Sequence, residues 1–326
     1  MKEKFSVSIV IPIREAPKDA LKQLAYAIYS QTIWPQEIIL VSAESKEINS
    51  FGEEFRALFR HTPSIRTVFA ENAFPGEARN IGTKYTNAAL IAFLDVCTLP
   101  DTKWLESSCV LINQNLSDGI IGNCKFIGKT FFSWILIDSF FGRGTVSTLP
   151  GSIFTTISLK KVGPFLEKVR AGEDNEWFQR ASMMNVNFLQ APGTTTCQYY
   201  GYQEFNFIKF VKKWNQNYRD ASKLPQYKLI SQFNIILWSS FSLILFFNWN
   251  SIFAEWDTSH PMYLPHVTKI VFVLILIAYF FLRSVYLPIS RGTNWRFILS
   301  YRLPFIMTTV LTADLIKIFF FLRRGI

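Results

Sequence analysis

The sequence is poor in charge, in histidine and in any cysteine spacing that carries chemistry. Charged residues make up 18% of its 326 positions, and there are three histidines. The four cysteines, Cys97, Cys109, Cys124 and Cys197, include no CxxC pair and accompany no histidine cluster, which argues against both a zinc site and a redox dithiol. They read as reduced thiols of a cytosolic domain. The N-terminus, MKEKFSVSIVIPI, starts with charge, but its apolar stretch is short, contains Pro12 and lacks a small-residue cleavage site. It therefore reads as a first β-strand and not as a signal peptide. There is no internal repeat and no low-complexity tract. A chain of this length has room for two domains, or one large one, without disulfide staples.

Apolar residues are what the sequence has in excess. They account for 49% of the chain, with 32 phenylalanines and an aromatic share of 16%, too hydrophobic for disorder and inclined toward a membrane protein. The net charge of +10 is uneven, about +1 over residues 1–200 and +9 over residues 201–326. In the second half the positive charge is interleaved with long apolar runs, the pattern of a chain lying against anionic lipid; nucleic acid is set aside as a partner.

Residues 7–13 (VSIVIPI) and 37–42 (EIILVS) are β-branched apolar runs, the pattern of strands buried on both faces of a parallel sheet. Between them Ala20, Leu21, Leu24, Ala25 and Ile28 recur at helical spacing, which completes a βαβ unit. The alternation continues with a helix over 48–59, a strand over 65–69, a helix over 76–86 and a buried strand over 88–94. It predicts an α/β, Rossmann-like domain with a mostly parallel sheet. A helix at Trp104, strands around 119–127 and 152–158 and a helix from Glu173 follow, and PGTTT at 192–196 marks the domain's end near residue 200.

Residues 201–228 form a linker with an amphipathic helix, in which Phe207, Ile208, Val211, Trp214 and Tyr218 share one side and Lys209, Lys212, Lys213, Arg219 and Lys223 flank them. This reads as an interfacial helix on a membrane, with packing on the first domain as the alternative. Residues 229–326 carry two to three transmembrane candidates, about 229–250, 270–287 and 303–322. The third contains Pro304, Asp314 and Lys317; the two charged residues share a helix face, and a tilted or re-entrant segment is favoured there over a polar membrane site. Arg283, Arg291, Arg296 and Arg302 crowd 283–302, whereas 251–269 holds only Lys269. The positive-inside rule then places the first domain and the arginine-rich loop in the cytosol of a multi-pass inner-membrane protein. The apolar stretch FFSWILIDSFFG (131–142) is either buried core or a contact with the bilayer surface.

Three segments, VSIVIPIRE (7–15), ENAFPGEARNIGTKYTNAALIAFLD (71–95) and AGEDNEWFQR (171–180), resemble, in order and spacing, the family 2 glycosyltransferases of GT-A fold. These are inverting enzymes that use nucleotide-diphosphate sugars, and the resemblance spans about residues 6–200. It implies a sugar nucleotide at the carboxyl ends of the strands, near Pro12, Arg14 and Glu15 after the first strand and Ser42 and Glu44 after the second. Where the family commonly has an acid after the second strand, this chain has Ser42 and Ala43, with Glu44 one step on. Arg79 and Asn80 of PGEARNIG match the pair the family places near the nucleotide. Arg79 offers a planar fork suited to pyrophosphate, or else pairs with a carboxylate such as Glu77.

Asp95 matches the start of the family's DxD motif, but the metal-ligand position is Cys97, a thiol where Mg²⁺ or Mn²⁺ prefers oxygen. The resemblance leaves three outcomes: Asp95 alone anchors a metal, cationic side chains replace it, or catalysis is lost. Glu173 and Asp174 match the ED motif, whose second acid is the general base of the inverting transfer. Glu173, Trp177 and Arg180 stand beside it as acceptor or phosphate contacts. The Gln/Arg-x-x-Arg-Trp motif of processive synthases is absent. The resemblance thus implies a membrane-anchored enzyme that moves a single sugar to a membrane-associated, lipid-linked acceptor in cell-envelope glycan or glycolipid synthesis, with a catalytically impaired nucleotide-sugar-binding scaffold as the alternative.

Overall fold

The computed structural model describes residues 6–14, 18–44, 48–59, 63–193, 195–222, 224 and 247–323. Glu15, Lys223 and most of the expected span at 229–250 lie outside the described residues.

Four short strands form the parallel half of the sheet: β1 (Val7–Ile13), β2 (Glu37–Ser42), β3 (Ser64–Phe69) and β4 (Leu90–Phe93). Helices α1 (Lys18–Tyr29), α2 (Ile48–Leu58) and α3 (Pro75–Lys84) connect them. Side chains alternate across the strands, so β1 sends Ile9 and Ile11 into one core cluster and Val10 into the other. Ile38 and Leu40 of β2 join the first, and Ile39 and Val41 the second. A two-faced core of this kind demands apolar residues at nearly every strand position, which is why β1, β2 and β4 do not alternate with polar residues, whereas the edge strand β3 carries Ser64, Arg66 and Thr67 and is only partly buried. Gly82 lets α3 lie close to the sheet, since a Cβ there would come within 2.4 Å of Val10 Cγ1.

After β4 the chain builds the other half: β5 (Thr98–Pro100), α4 (Trp104–Gln114), β6 (Gly119–Phe126), α5 (Phe131–Phe140), β7 (Thr145–Thr155), α6 (Thr156–Val162), α7 (Glu173–Met183), β8 (Phe188–Gln190), β9 (Thr196–Tyr199) and α8 (Phe207–Ala221). Among the described residues these strands make one sheet in the order β3-β2-β1-β4-β7-β6-β9-β5, with β8 paired to β6. β7 is antiparallel to both β4 and β6, while β8 and β9 lie parallel to β6, one after the other along its edge. The strand expected over 152–158 stops at Thr155, whose hydroxyl accepts from the Ser158 N–H at 3.0 Å and so opens α6.

The apolar stretch at 131–142 is a helix buried from three directions. Thr130 and Ser133 form a reciprocal capping box at its start. Three consecutive side chains then enter three clusters: Ile135 meets Ile298, Ile306 and Val310, Leu136 meets Phe210, Trp214 and Ala313, and Ile137 joins the sheet core. A helix apolar all round is a helix covered all round.

Two of those covering surfaces come from the C-terminal part. Residues Lys269–Ser290 and Leu303–Phe320 are helical over 22 and 18 residues, each long and apolar enough to cross a membrane. The first contains a π-helical turn at Phe281–Tyr286. Pro304 sits in the opening turn of the helix Leu303–Leu322, where its missing N–H breaks no hydrogen bond. Asp314 reaches across to the preceding helical segment. It takes a two-pronged bond from Arg283 at 2.7 and 2.8 Å, and the Tyr279 hydroxyl donates to it at 2.8 Å. The apolar side of α8 is also divided: Phe210 and Trp214 are buried under α5 and the C-terminal helix, while Phe207 and Ile208 remain exposed.

Candidate active site

A cavity of about 440 Å³ opens where the carboxyl ends of β1 and β4 face the start of α7, within the usual range for a small-molecule site. Pro12 and Arg14 line it from β1, and Asp95, Val96 and Cys97 from the turn after β4. Glu173 and Asp174 line it from α7, Tyr199 and Tyr202 from β9 and the turn that follows, and Lys213 and Asn217 from α8. Of the residues singled out in the sequence, Pro12, Arg14, Arg79, Asp95, Glu173 and Asp174 therefore share one cavity. Lys213, Asn217, Tyr199, Tyr202 and Arg170 also line it, although sequence reasoning did not place them there.

Arg79 occupies the floor of this cavity. Its Nη1 donates to Glu173 Oε1 at 2.9 Å and its Nη2 to Asp95 Oδ1 at 3.1 Å. Its side chain is 5% exposed, Glu173's 7% and Asp95's 32%. Burial opposes the guanidinium's charge, but Asp95 and then Glu173 raise its pKa above the ordinary value. Arg79 thus has two carboxylate partners inside the protein, and its planar fork holds Asp95 and Glu173 in register. Burial pushes the Glu173 carboxyl up to about 7, against the pull of Arg79 and with a further push from Asp174.

Asp174 stands beside Glu173 in the first turn of α7, which opens on Gly172 at φ 92°. A left-handed residue here reverses the chain sharply enough for the next two carboxylates to face the cavity, and only glycine adopts that conformation without strain. Asp174 Oδ1 accepts from the Asn175 N–H at 2.8 Å.

Five expected contacts lie elsewhere. Asn80 is 7% exposed and its amide is taken up within the protein: Nδ2 donates to the Phe165 carbonyl at 2.8 Å and to Glu167 Oε1 at 3.3 Å, and Oδ1 accepts from the Phe165 N–H at 2.8 Å. Trp177 is fully buried, with Nε1 donating to the Gly163 carbonyl at 2.9 Å and its ring stacked on Phe165 at 5.1 Å. Arg180 pairs with Glu176 at 2.8 Å and donates to the carbonyls of Val162 and Pro164. Each of these three fastens the 162–165 segment beneath α7, so their effect on the cavity is through the scaffold. Ser42 and Glu44 are not among the cavity's lining residues; the Ser42 hydroxyl donates to the Glu44 carbonyl at 2.8 Å and closes a tight polar turn.

The donor set does not fit an oxygen-seeking divalent ion. Asp95 is engaged by Arg79, and position 97 offers a thiol whose pKa is raised by burial and by Asp95, though Lys213 draws it down. A protonated thiol is a poor ligand for Mg²⁺ or Mn²⁺. Among the described residues no group of three His, Cys, Asp or Glu side chains is gathered to hold a metal.

The family model described as Glycosyl transferase family 2 matches residues 8–178. Glycosyltransferase AglE of Haloferax volcanii is 25% identical over 205 residues, covering 59% of this chain and 66% of that protein. The crystal structure of S. aureus TarS 1-349 in complex with UDP-GlcNAc resembles this fold with a TM-score of 0.50 at 16% identity, over 67% of this chain and 66% of that one. The chain thus spans slightly under two thirds of the length of either relative.

Proposed function

The chain belongs to glycosyl transferase family 2, and from that premise we propose that it transfers a single sugar, with inversion, from a nucleotide-diphosphate sugar to a membrane-associated, lipid-linked acceptor. The observation that carries this reading is that Asp174, at the N-terminus of α7, lines the same cavity as Asp95 and the carboxyl ends of β1 and β4. In an open α/β sheet that crevice takes the ligand. A structural neighbour was solved with UDP-GlcNAc; a sugar nucleotide in this cavity is part of the proposal.

In the proposed step the acceptor hydroxyl oxygen bonds to the sugar's anomeric carbon as its proton passes to the Asp174 carboxylate. The bond between that carbon and the diphosphate oxygen breaks, its electron pair leaving with the nucleoside diphosphate. A single base suffices because acceptor and leaving group are on opposite faces of the sugar. Glu173 and Arg79 position Asp174 and Asp95. The two long apolar helices, Lys269–Ser290 and Leu303–Phe320, support membrane attachment, with the catalytic cavity on the cytosolic side by the positive-inside rule. They also motivate an acceptor delivered in the bilayer for cell-envelope synthesis. Cys97 motivates the second reading, a member of the fold that binds a nucleotide sugar without turnover.

The test is release of nucleoside diphosphate by the detergent-solubilised protein over a panel of nucleotide sugars, with native lipid extract as acceptor. Lipid-dependent release by the wild type and none by Asp174→Asn supports the transferase. Donor binding without release under any acceptor supports the scaffold instead.

A further inference from the structure

The leaving diphosphate gains negative charge as the glycosidic bond breaks, and something must meet it. The side chains where a family member would hold a divalent ion do not suit one: Asp95 is paired with Arg79 and Cys97 is a thiol. A cation nevertheless lines the same cavity from an unexpected direction. α8 carries Lys209, Lys212, Lys213 and Arg219, and of these Lys213 lines the cavity. So does Asn217, one turn further along the same helix face.

The Lys213 ammonium lies 4.5 Å from the centroid of the Tyr202 ring and 5.3 Å from that of Phe205. Tyr202 is itself a wall of the cavity. Two aromatic faces hold the long, flexible side chain at that wall and cost it little of its charge. The helix beneath is anchored, since Phe210 and Trp214 are buried against Leu136 and Ala313. Arg14 and Arg170 line the same cavity. An ammonium is a compact point charge that meets phosphate oxygens without a demanding geometry.

We propose that Lys213 takes the place of the divalent cation in this chain, binding the diphosphate of the nucleotide so that donor binding and departure of the leaving group are independent of metal. The inference rests on the nucleotide-sugar reading of the cavity. It also gives α8 a role beyond its apolar contacts. The helix lies past the family match at 8–178, and it completes the donor site from the segment that joins the sheet domain to the C-terminal helices.

The test is calorimetric titration of UDP, GDP and dTDP into the full-length protein in detergent, with Mn²⁺ or with excess EDTA. The wild type is expected to bind one of these diphosphates equally well in both conditions. Lys213→Ala and Lys213→Met should weaken that binding by about ten- to a hundredfold, the worth of a charge-assisted contact, while Lys213→Arg retains most of it. Unchanged melting temperatures exclude a folding defect in these variants, and Lys212→Ala, on the exposed side of α8, should bind as the wild type does. Cys97→Asp combined with Lys213→Ala should recover binding with Mn²⁺ only. Binding by the wild type that requires Mn²⁺, or equal binding by wild type and Lys213→Ala, overturns the proposal and leaves the transferase reading standing. Failure of all three diphosphates to bind the wild type in either condition overturns both.

Discussion

Arg79 Nη1 donates to Glu173 Oε1 at 2.9 Å, a bond between buried side chains 94 residues apart in the chain. It ties α3 to the first turn of α7, and the second arm of the same guanidinium reaches Asp95 after β4. Two acids on opposite sides of the cavity, Asp95 and Glu173, are thereby held by one cation. Removing one member of a buried pair leaves the other charge uncompensated, which costs about 3–5 kcal/mol. Arg79→Met should therefore lower the unfolding midpoint markedly, and Arg79→Met with Glu173→Gln should recover part of the loss. Thermal unfolding of the three proteins measures this. A variant as stable as the wild type that binds nucleotide poorly would instead return Arg79 to direct contact with pyrophosphate.

Glu173 gives the fold a pH dependence whose sign can be worked out. Its carboxyl is pushed up to about 7 in the folded protein, mainly by burial, while an exposed glutamate titrates near 4.3. A raised folded value favours the neutral form. The contribution to stability is complete below the unfolded value and is lost as pH rises from there through about 7. Glu173→Gln stays neutral throughout. The melting temperature of the wild type relative to this variant should fall between pH 5 and pH 8 and then level off; a constant difference across that range would place Glu173 in the ordinary carboxylate range.

Asp174→Asn tests the base directly. The amide is close in shape to the carboxylate and keeps an oxygen to accept the Asn175 N–H, so folding and donor binding should change little. Transfer should fall by about two to four orders of magnitude, the usual contribution of a positioned base. Single-turnover release of nucleoside diphosphate measures it. Turnover within a few-fold of wild type removes Asp174 from the base role.

The parallel half of the sheet was legible because its cause is local. Runs such as VSIVIPI and EIILVS have no polar face, and both their faces are buried as that composition requires. Asp95 and Asp174, singled out through the family resemblance, do line one cavity, Asp95 from the end of a strand and Asp174 from the start of a helix. Arg79, Asn80 and Arg180 were harder, because a guanidinium or amide in a motif does not reveal whether its partner is a ligand or a carbonyl far along the chain. The Phe165 main chain that Asn80 holds is 85 residues away. Lys213 was hidden for another reason. The apolar stripe of α8 looked like a face for lipid, and only the packing of Phe210 and Trp214 on Leu136 sets the helix rotation that turns Lys213 toward the cavity. β5, β8 and β9 are three or four residues each, too short to show a period.

Among the described residues the C-terminal helices hold a polar constellation centred on Asp314, with partners on the neighbouring helix that sequence spacing alone does not name. Asp314 accepts from Arg283 Nη2 at 2.7 Å, from Arg283 Nε at 2.8 Å and from Tyr279 at 2.8 Å, joining the helix Leu303–Leu322 to the helical segment before it. The two charged side chains are 25% and 21% exposed, so neither is free to take its charge fully into water, and in a bilayer an unpaired charge is costlier still. Asp314→Ala should cost about 3 kcal/mol, near the lower end for breaking a buried pair, whereas Tyr279→Phe, which loses one neutral donor, should cost about 1 kcal/mol. Exchanging the partners, Arg283→Asp with Asp314→Arg, should restore most of what either single reversal loses, because the pairing survives although the geometry is reversed. Aggregation temperature in detergent and in nanodiscs measures the wild type and each of these variants. Additive losses in the double reversal would mean that Asp314 and Arg283 act separately and that something other than their bond aligns the two helices.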